Sequence, residues 1–548
     1  MRSLDELTGE LGLGAEDWVP QGRHVAKISR AADAPGRAKY VAVTAITPTP
    51  AGEGKTVTAV GLAMALCRRG RRAVATLREP SLAPVLGVKG GGAGGGRATL
   101  EPFDEINLGL TGDLHAVAAA NNLLAAVIDD HLHRERSPRL DSASVQWKRV
   151  VDVGDRALAH VTVGLGGSAF GPPRETGFEL TAASEVMALL ALARDAQDLR
   201  ARLGAIVVGS AADELRVTAE ALGAAGAMAV LLKRALSPNL VQTCEGTAAL
   251  VHTGPFANIA HGNSSVVADR LASQLADYVV TEGGFGADMG AEKLFHIKCR
   301  ASGLVPDAAV LVCTVRALKV HSGRFDVRPG KALPAALLER DLDAVRAGAD
   351  NLRAHLDVLA AFGVPAVVAI NVFPSDTRAE LDLVAELARD AGAFAVAESD
   401  VFARGSEGGL ALADAVIAAA EAPSGLRMLY ELGSSIEDKL TVLATRLYGA
   451  ASVELAPEAR ASLARIDALG GGHLPVCVAK TQYSLSHDPK LLGRPTGFVF
   501  PVRDLRLSAG AGFVYALAGS IRTLPGLPPN PALRRLDLAP DGTIRGLS

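Results

Sequence analysis

Short runs of β-branched and other apolar residues recur along the chain, separated by longer stretches in which apolar residues follow helical spacing. The runs predict ten strands, at residues 41–47, 73–77, 161–165, 205–208, 228–232, 278–281, 309–313, 366–370, 394–397 and 475–479. Helical spacing is clearest at 114–132, 266–276 and 351–362. Apolar strands that alternate with helices are typical of parallel sheets covered on both faces. The pattern therefore predicts an α/β fold with a doubly wound parallel sheet.

The chain has 548 residues, more than one compact core accommodates, so two to four domains are expected. Hydrophobic residues make up 49%, enough for buried sheets, and the formal net charge of −3 gives no basic field for nucleic acid. The five cysteines form no CxxC pair, which favours a reducing compartment. No signal peptide is expected, and no apolar run approaches the ~18 residues that cross a bilayer. A cytoplasmic protein without nucleic-acid or membrane partners is predicted.

A glycine-rich loop lies between a predicted strand and a predicted helix. Gly52, Gly54, Lys55 and Thr56 have the order and context of a phosphate-binding loop, although Thr49 stands where the pattern GxxxxGK[ST] has its first glycine. In such a loop the backbone N–H groups hold phosphates, the lysine reaches the β- and γ-phosphates, and the threonine hydroxyl ligates Mg²⁺. The predicted nucleotide-binding residues are Pro48, Thr49, Pro50, Ala51, Gly52, Glu53, Gly54, Lys55 and Thr56, with Thr56 as the metal ligand.

Arg78 follows the strand predicted at 73–77. If that strand lies parallel and close to the first, Arg78 emerges at the carboxyl edge, where α/β sheets bind ligands. A guanidinium there suits a carboxylate or a phosphate, because it can bond two oxygens at once, and an ion pair with a nearby acid is an equal alternative. The segment 87–96, which is mostly glycine, is either a mobile linker or a loop that lets backbone close on a ligand.

Two later loops each place a phenylalanine after a predicted strand. Phe373 follows 366–370, and Phe402 follows 394–397. If the two strands are neighbours, both rings project from one edge and could clamp a flat ring, while core packing is the alternative. His261 lies in another loop, where it is either a base or a residue with a structural hydrogen bond.

Seven segments together resemble monofunctional formate–tetrahydrofolate ligases (10-formyltetrahydrofolate synthetases) over nearly the whole chain. They are TAITPTPAGEGKT (44–56), REPSLAPVLGVKGGGAGGG (78–96), INLGLTGDLHAVAAANNLLAA (106–126), GPFANIAHG (254–262), VVTEGGFGADMGAEK (279–293), VRALK (315–319) and LPVCVAKTQYSLS (474–486). Many long matches in chain order are far more specific than a phosphate loop alone. Threonine at the first position of the loop is itself typical of that family.

The resemblance implies a P-loop NTPase-like sheet with two additional α/β domains. The boundaries it implies are 1–87 plus about 311–445 for a discontinuous nucleotide- and folate-binding domain, about 88–310 for a second domain, and about 446–548 for a C-terminal domain. It also implies ATP-dependent joining of formate to tetrahydrofolate through formyl phosphate, with Mg²⁺, activation by K⁺ or NH₄⁺, and a homotetramer. By motif, Lys55 and Arg78 are the catalytic residues that hold formate and the intermediate, and Phe373 and Phe402 bind the folate.

Some positions depart from the family's pattern. Phe402 stands where tryptophan is usual, and Arg97 stands where tyrosine is usual. A phenylalanine keeps an aromatic face with less contact area, so the changes bear on folate affinity more than on the type of reaction. The roles of Arg97, His261 and Lys480 stay open.

Two other functions fit the phosphate loop by itself. A nucleotide-dependent switch ATPase would share the strand–loop–helix start, but it has no need of two aromatic loops and a glycine-rich segment. A ligase of the same fold could use another acid or acceptor. Formation of ADP with formate, with and without tetrahydrofolate, distinguishes these functions.

Overall fold

The computed structural model describes residues 1–87, 91–212, 214–328, 331–519, 521 and 523–547. Within them, twelve strands form one large sheet. They are β1 Trp18–Gln21, β2 Val25–Ile28, β3 Lys39–Ala45, β4 Ala73–Leu77, β5 Gly94–Gly95, β6 Ala98–Glu101, β7 Asn239–Thr243, β8 Ala248–Val251, β9 Tyr278–Glu282, β10 Ala308–Cys313, β11 Ala366–Asn371 and β12 Ala395–Ser399. Their order across the sheet is β1-β2-β7-β8-β4-β9-β3-β10-β11-β12, with β6 paired to β7 and β5 paired to β6.

The sheet is parallel over most of its width. From β8 to β12 in the spatial order, each strand runs parallel to the next, which makes seven parallel strands. The pairs β1–β2, β2–β7 and β7–β8 are antiparallel and extend one side. Parallel strands connected through helices confirm the predicted α/β class. The carboxyl ends of the seven parallel strands therefore meet at one edge.

Both faces of the sheet are covered, as the apolar strands predicted. Alternate residues of β3 enter two different hydrophobic clusters, since successive side chains of a strand point to opposite faces. Tyr40 and Ala42 pack in one cluster, and Val41, Val43 and Ala45 pack in the other. The strand is therefore held rigidly on both sides where it enters the glycine-rich loop.

Four helices position the region around that loop: α1 Lys55–Arg68, α2 Asp113–His133, α3 Val315–His321 and α4 Leu342–Phe362. The other α-helices of the described ranges are Leu4–Glu10, Leu82–Leu86, Phe103–Asn107, Glu185–Leu192, Ala196–Ala205, Ala225–Leu232, Val266–Leu275, Arg300–Ser302, Ala335–Leu338, Arg378–Asp390, Val401–Arg404, Leu410–Glu421, Ile436–Leu443 and Pro457–Ala468. Helix α4 begins at the cap Asp341, whose side chain accepts from the Ala344 N–H, and ends at Gly363, with φ 74°. These helices confirm the predicted ones at 114–132, 266–276 and 351–362, the last of which starts earlier than predicted.

The remaining strands form small sheets outside the large one. Two-stranded pairs join Arg149–Val151 to Phe178–Leu180, Val161–Val163 to Arg174–Thr176, Val207–Gly209 to Val217–Thr218, Ser452–Leu455 to Val499–Val502, and Asp537–Leu538 to Ile544–Arg545. Val476–Ala479, Phe513–Leu517 and Asp504–Ser508 form a three-stranded sheet. The runs predicted at 161–165, 205–208 and 475–479 therefore form strands, but none of them joins the large sheet.

The strand predicted at 228–232 is wrong, because Ala225–Leu232 is a helix. Its buried residues are Ala225, Met228 and Leu232, at helical spacing, whereas Val230 is 74% exposed. A short apolar run cannot be assigned to strand or helix by periodicity alone. The hairpin β7–β8 was not predicted, since Asn239, Gln242 and Thr243 make β7 look polar although all three are buried.

The large sheet takes strands from residues 18–101, 239–282 and 308–399. Strands on both sides of the boundary near residue 310 thus share one sheet, and the division into three domains stays a prediction. No helix in the described ranges is both long and apolar enough to span a lipid bilayer. The five cysteines are free thiols.

Candidate functional site

The glycine-rich loop connects β3 to α1 at the carboxyl edge of the parallel strands. Gly52 and Gly54 have φ values of 76° and 79°, in the left-handed region that glycine adopts without strain. A Cβ on Gly54 would lie 2.4 Å from the side-chain nitrogen of Asn371, which donates to the Glu53 carbonyl oxygen at 2.9 Å. Strand β11 therefore helps to hold the loop against the N-terminus of α1, where anions bind well.

Thr49, at the position where a glycine is usual, has a bonding role of its own. Its backbone N–H and its hydroxyl donate to Glu53 Oε1, at 2.8 and 2.9 Å, and both residues are buried. A glycine would supply only the first of these two bonds. The departure from the usual pattern thus adds a side-chain closure to the loop and leaves the strand–loop–helix intact.

Lys55 and Thr56 form the first turn of α1 and lie beside the end of β9. The Thr56 hydroxyl donates to Glu282 Oε2 at 2.8 Å. Burial lowers the pKa of Lys55, the carboxylates of Glu53 and Glu282 oppose that shift, and Arg78 adds to it. Because the protein compensates this ammonium incompletely, an anionic ligand beside it would stabilise the charge.

Arg78 follows β4 at the same edge, and β9 lies between β4 and β3. One of its guanidinium nitrogens donates to the Pro255 carbonyl oxygen at 3.2 Å. The guanidinium lies against Gly284, where a Cβ would be 3.3 Å from both terminal nitrogens. Burial lowers the pKa of Arg78, and Glu282 opposes the shift. Arg78 and Lys55 therefore share one nearby acid, Glu282, from opposite sides of β9.

Glu282 is the residue of this cluster that the sequence analysis did not single out. Its side chain is mostly buried at the end of β9. The chain order does not reveal that β9 is inserted between β4 and β3, since a long segment separates it from both. The available signal was a carboxylate directly after an apolar strand, in the segment VVTEGG.

Strands β11 and β12 are parallel neighbours, so the two aromatic loops emerge at one edge. Phe373 is half-buried, and the guanidinium carbon of Arg316, on α3, lies 3.5 Å from its ring centroid. That is a stacking distance, so the cation covers one face of the ring. A flat ligand on this face has to displace Arg316. The sequence analysis did not single out Arg316 as a site residue.

Phe402 is 56% exposed and follows β12 in the short helix Val401–Arg404. Its ring lies against the glycine-rich segment, where a Cβ on Gly95 would be 3.2 Å from ring atom Cε2. The Arg97 N–H donates to the Phe402 carbonyl oxygen at 2.8 Å. The described part of the segment thus packs on Phe402, while residues 88–90 lie outside the described ranges. Phe373 and Phe402 are not in ring contact within those ranges, and the clamp stays a prediction.

Two residues whose roles were open lie in the interior. His261 is fully buried, and neither ring nitrogen has a hydrogen-bond partner among the described residues. Burial, followed by the field of Lys298, lowers its pKa well below the ordinary value, so the imidazole is neutral. Lys480 forms a buried ion pair with Asp288 at 2.6 Å.

A cavity of about 440 Å³ opens beside the start of the loop. Its walls include Pro48 and Pro50 from the loop, Phe325 after α3, and Tyr483 and Lys490 from the C-terminal part of the chain. The volume lies in the range of small-molecule sites. The loop therefore has open space next to it that three separate segments enclose.

The loop, the two cations around Glu282 and the aromatic loops lie at the carboxyl ends of the parallel strands, where α/β enzymes bind their ligands. The family model described as "Formate--tetrahydrofolate ligase" matches residues 1–548. The chain belongs to the formate–tetrahydrofolate ligase family, which confirms the resemblance found in the sequence.

Curated relatives match the chain along its whole length. A formate–tetrahydrofolate ligase of Roseiflexus sp. (strain RS-1) is 56% identical over 553 residues, which cover 100% of this chain and 98% of the relative. The protein of the same name from Saccharopolyspora erythraea is 52% identical, with the same coverage. That of Cutibacterium acnes is 51% identical over 99% of this chain and 97% of its own length.

Proposed function

We propose that this chain joins formate to tetrahydrofolate through formyl phosphate, with ATP as phosphoryl donor, giving 10-formyltetrahydrofolate, ADP and phosphate. The observation that carries the proposal is the convergence of Lys55, Thr56 and Arg78 on Glu282. Three strands of one edge bring a phosphate-binding loop and a second cation to the same acid. Phosphoryl transfer to a carboxylate needs such an arrangement, because charge develops on oxygens of both partners.

ATP binds with its phosphates on the loop formed by residues 48–56. Backbone N–H groups at the N-terminus of α1 and the Lys55 ammonium bond the phosphate oxygens. The aligned dipole of a helix whose first turn contains no acid favours that negative charge. The cavity beside Pro48 and Pro50 leaves room for substrate atoms beyond the phosphates.

Formate is held by Arg78, whose planar guanidinium can bond both carboxylate oxygens. One formate oxygen attacks the γ-phosphorus, a P–O bond forms, and the bond to the β-phosphate oxygen breaks to release ADP. Lys55 and Arg78 balance the negative charge shared between the two oxygens. The product is formyl phosphate, in which phosphate is a good leaving group.

The N10 amine of tetrahydrofolate then attacks the formyl carbon. The C–N bond forms, the C–O bond to phosphate breaks, and the amine proton leaves with the phosphate as hydrogen phosphate. Phe373 and Phe402 are the residues we assign to the pterin ring, because they emerge from neighbouring strands at this edge. Arg316 has to leave the face of Phe373 if the ring stacks there.

Two cations fit residues that are present. The Thr56 hydroxyl and the Glu282 carboxylate are hard oxygen donors 2.8 Å apart, which suit the Mg²⁺ that accompanies ATP and neutralises its phosphates. The carboxyl oxygens of Glu79 are buried and have no hydrogen-bond partner among the described residues, so this group fits an activating K⁺ or NH₄⁺. Burial raises the pKa of Glu79 well above its ordinary value, and a cation there would compete with the proton.

We also propose that the protein works in the cytoplasm as a homotetramer. The free state of the five cysteines suits a reducing compartment. Light scattering of the purified chain tests the subunit number, with four copies expected. Two copies or one would contradict this part of the proposal.

The test of the function is ADP formation from ATP, measured with formate, with formate plus tetrahydrofolate, and with neither. We expect sustained turnover only with both substrates, and 10-formyltetrahydrofolate formed in equal amount to ADP. Turnover that ignores both substrates would indicate a switch ATPase. Turnover that requires a different acid or amine would indicate a ligase of the same fold with other substrates.

A further inference from the structure

The residue that joins β3 to the phosphate loop, Thr47, is bonded by side chains at each of its polar atoms. Its N–H donates to Asn351 Oδ1 at 3.1 Å, and its hydroxyl accepts from Asn351 Nδ2 at 2.9 Å. His355 Nε2 lies 2.9 Å from the same hydroxyl, and His321 Nε2 lies 2.8 Å from the Thr47 carbonyl oxygen. All four residues are buried. We call Asn351, His355 and His321 the Thr47 clamp.

The clamp lies where the backbone leaves the sheet after β3. Ile46 donates to the Val312 carbonyl oxygen at 3.1 Å, which is a bond to the neighbouring strand β10. From Thr47 onward the backbone turns out of the sheet into the loop. Its direction at this point is therefore set by side chains of α3 and α4 rather than by the strand ladder.

The bonding partners fix the tautomer of His321. The Thr47 hydroxyl accepts from the Asn351 amide and keeps one proton and one lone pair, so it can bond His355 Nε2 in either tautomer of that imidazole. A carbonyl oxygen can only accept, so His321 Nε2 has to carry a proton. His321 Nδ1 accepts from the Gly493 N–H, so the His321 imidazole is neutral with its proton on Nε2.

The clamp also connects the loop to the C-terminal part of the chain. Asn351 Nδ2 donates to the Gly493 carbonyl oxygen at 2.8 Å, and the Gly493 N–H donates to His321 Nδ1 at 3.4 Å. Behind His355, its Nδ1 faces Asp288 at 4.0 Å, and Asp288 pairs with Lys480. The start of the phosphate loop therefore depends on residues that lie more than 300 positions away in the sequence.

We propose that His355 and His321, together with Asn351, are positioning residues that hold the phosphate loop in the conformation that binds ATP and transfers its phosphoryl group. The proposal rests on the nucleotide site proposed above. None of the three touches a reacting atom; each bonds Thr47, and His321 also lines the cavity beside Pro48 and Pro50. Because a displacement of about 1 Å at a phosphate site costs on the order of 10²-fold in rate, small errors at Thr47 should appear in catalysis.

The test compares His355→Leu and His321→Leu with His355→Gln and His321→Gln. A glutamine can place an acceptor or a donor near the position of Nε2, and leucine can do neither. We expect each leucine variant to raise the KM for ATP about tenfold or to lower kcat by a similar factor, and each glutamine variant to recover most of the loss. The KM for tetrahydrofolate should stay within about twofold of the wild type.

The control variant is His131→Leu. His131 is also buried and bonds a carbonyl, that of Pro138, at 2.7 Å, but it lies in α2 away from the loop. It should lose thermal stability without a change in the KM for ATP. Equal effects of His131→Leu and the clamp variants on ATP kinetics would overturn the proposal, because the loss of any buried hydrogen-bonding side chain would then have the same effect.

A less disruptive pair of variants, at Thr47, tests the proposal if the histidine variants do not fold. Thr47→Val keeps the shape of the side chain and removes its hydroxyl, and Thr47→Ser keeps the hydroxyl. We expect weaker binding of a fluorescent ATP analogue to the valine variant and near-normal binding to the serine variant. Normal binding to Thr47→Val would refute the clamp alone, whereas a wild-type chain that binds no ATP would refute the proposed function.

Discussion

Lysine and arginine side chains lie at both ends of the parallel strands of the large sheet, but in different surroundings. At the amino edge, Lys39 at the start of β3 pairs with Asp307 at 2.9 Å, and Arg72, just before β4, pairs with Asp277 at 2.8 Å. The Arg72 side chain is 61% exposed, and its hydrogen bond to Asp277 raises its pKa. At the carboxyl edge, burial lowers the pKa of both Lys55 and Arg78.

The two ends of the strands differ in how the charges of their cations are balanced. Cations at the amino edge have their own acids and open solvent, so they need nothing more. Lys55 and Arg78 lie deeper and share Glu282 with the Thr56 hydroxyl. Burial disfavours the charged form of both groups, so a phosphate or a carboxylate beside them would stabilise their charges. Matched substitutions at the two ends of the same strands test this comparison.

The largest effect is expected for Lys55→Ala. Removal of the ammonium that we assign to the transferred phosphoryl group should lower kcat at least about 10³-fold. The matched control, Lys39→Ala, removes a lysine from the other end of β3 and should keep kcat within about twofold. Steady-state ADP release measures kcat of both variants. Comparable losses would contradict a functional difference between the two ends of β3.

Arg78→Ala should lower kcat/KM for formate by about 10²- to 10³-fold, since it removes the fork that we assign to the carboxylate and the proposed intermediate. Arg78→Lys should recover only part of the loss, because an ammonium cannot bond two oxygens in the same plane. Arg72→Ala, at the opposite end of β4, is the control and should be nearly silent. Near-normal turnover of Arg78→Ala would refute its role.

On the acceptor side, Phe373→Ala and Phe402→Ala should raise the KM for tetrahydrofolate about tenfold, since stacking of a ring on an aromatic side chain contributes roughly 1–3 kcal/mol. Phe394, at the amino end of β12 and 47% exposed, gives the control Phe394→Ala, with no change expected. Phe402→Trp should lower the KM about twofold through added contact area. A changed KM for ATP in place of tetrahydrofolate would assign these rings to the nucleotide.

The smallest effect concerns stability and pH. Burial lowers the pKa values of His252, His321 and His355 to about 4. Between about pH 6.5 and 4 these histidines bind protons in the unfolded chain but stay neutral in the folded one. Their contribution to the free energy of unfolding is therefore complete above pH 6.5 and is lost as the pH falls. Glu79 and Glu185, whose pKa values burial raises, act in the opposite direction.

A variant isolates one histidine from this sum. The free energy of unfolding of His321→Gln should depend less on pH than that of the wild type, by about 1 kcal/mol per pH unit between pH 6 and 5. Urea unfolding at several pH values measures the difference. Parallel pH profiles for the two proteins would contradict the assignment.

The sequence predicted the parallel sheet and the places of the glycine-rich loop and of the two phenylalanine loops, because each rests on a local pattern; the ligands of these loops stay predictions. Strand β3 is apolar on both faces, and its loop contains the glycines that positive φ requires. Contacts between distant segments could not be predicted in this way. Glu282 depends on where β9 enters the sheet, and the stack of Arg316 on Phe373 depends on the fold between α3 and β11.

The fate of a formate oxygen tests directly whether formyl phosphate is formed. If formate attacks the γ-phosphorus and phosphate later leaves with a broken C–O bond, one oxygen of formate ends in phosphate. With ¹⁸O-labelled formate, ATP and tetrahydrofolate, mass spectrometry of the inorganic phosphate should find one ¹⁸O atom per phosphate released. Unlabelled phosphate, formed together with 10-formyltetrahydrofolate, would contradict a formyl phosphate intermediate at Lys55 and Arg78.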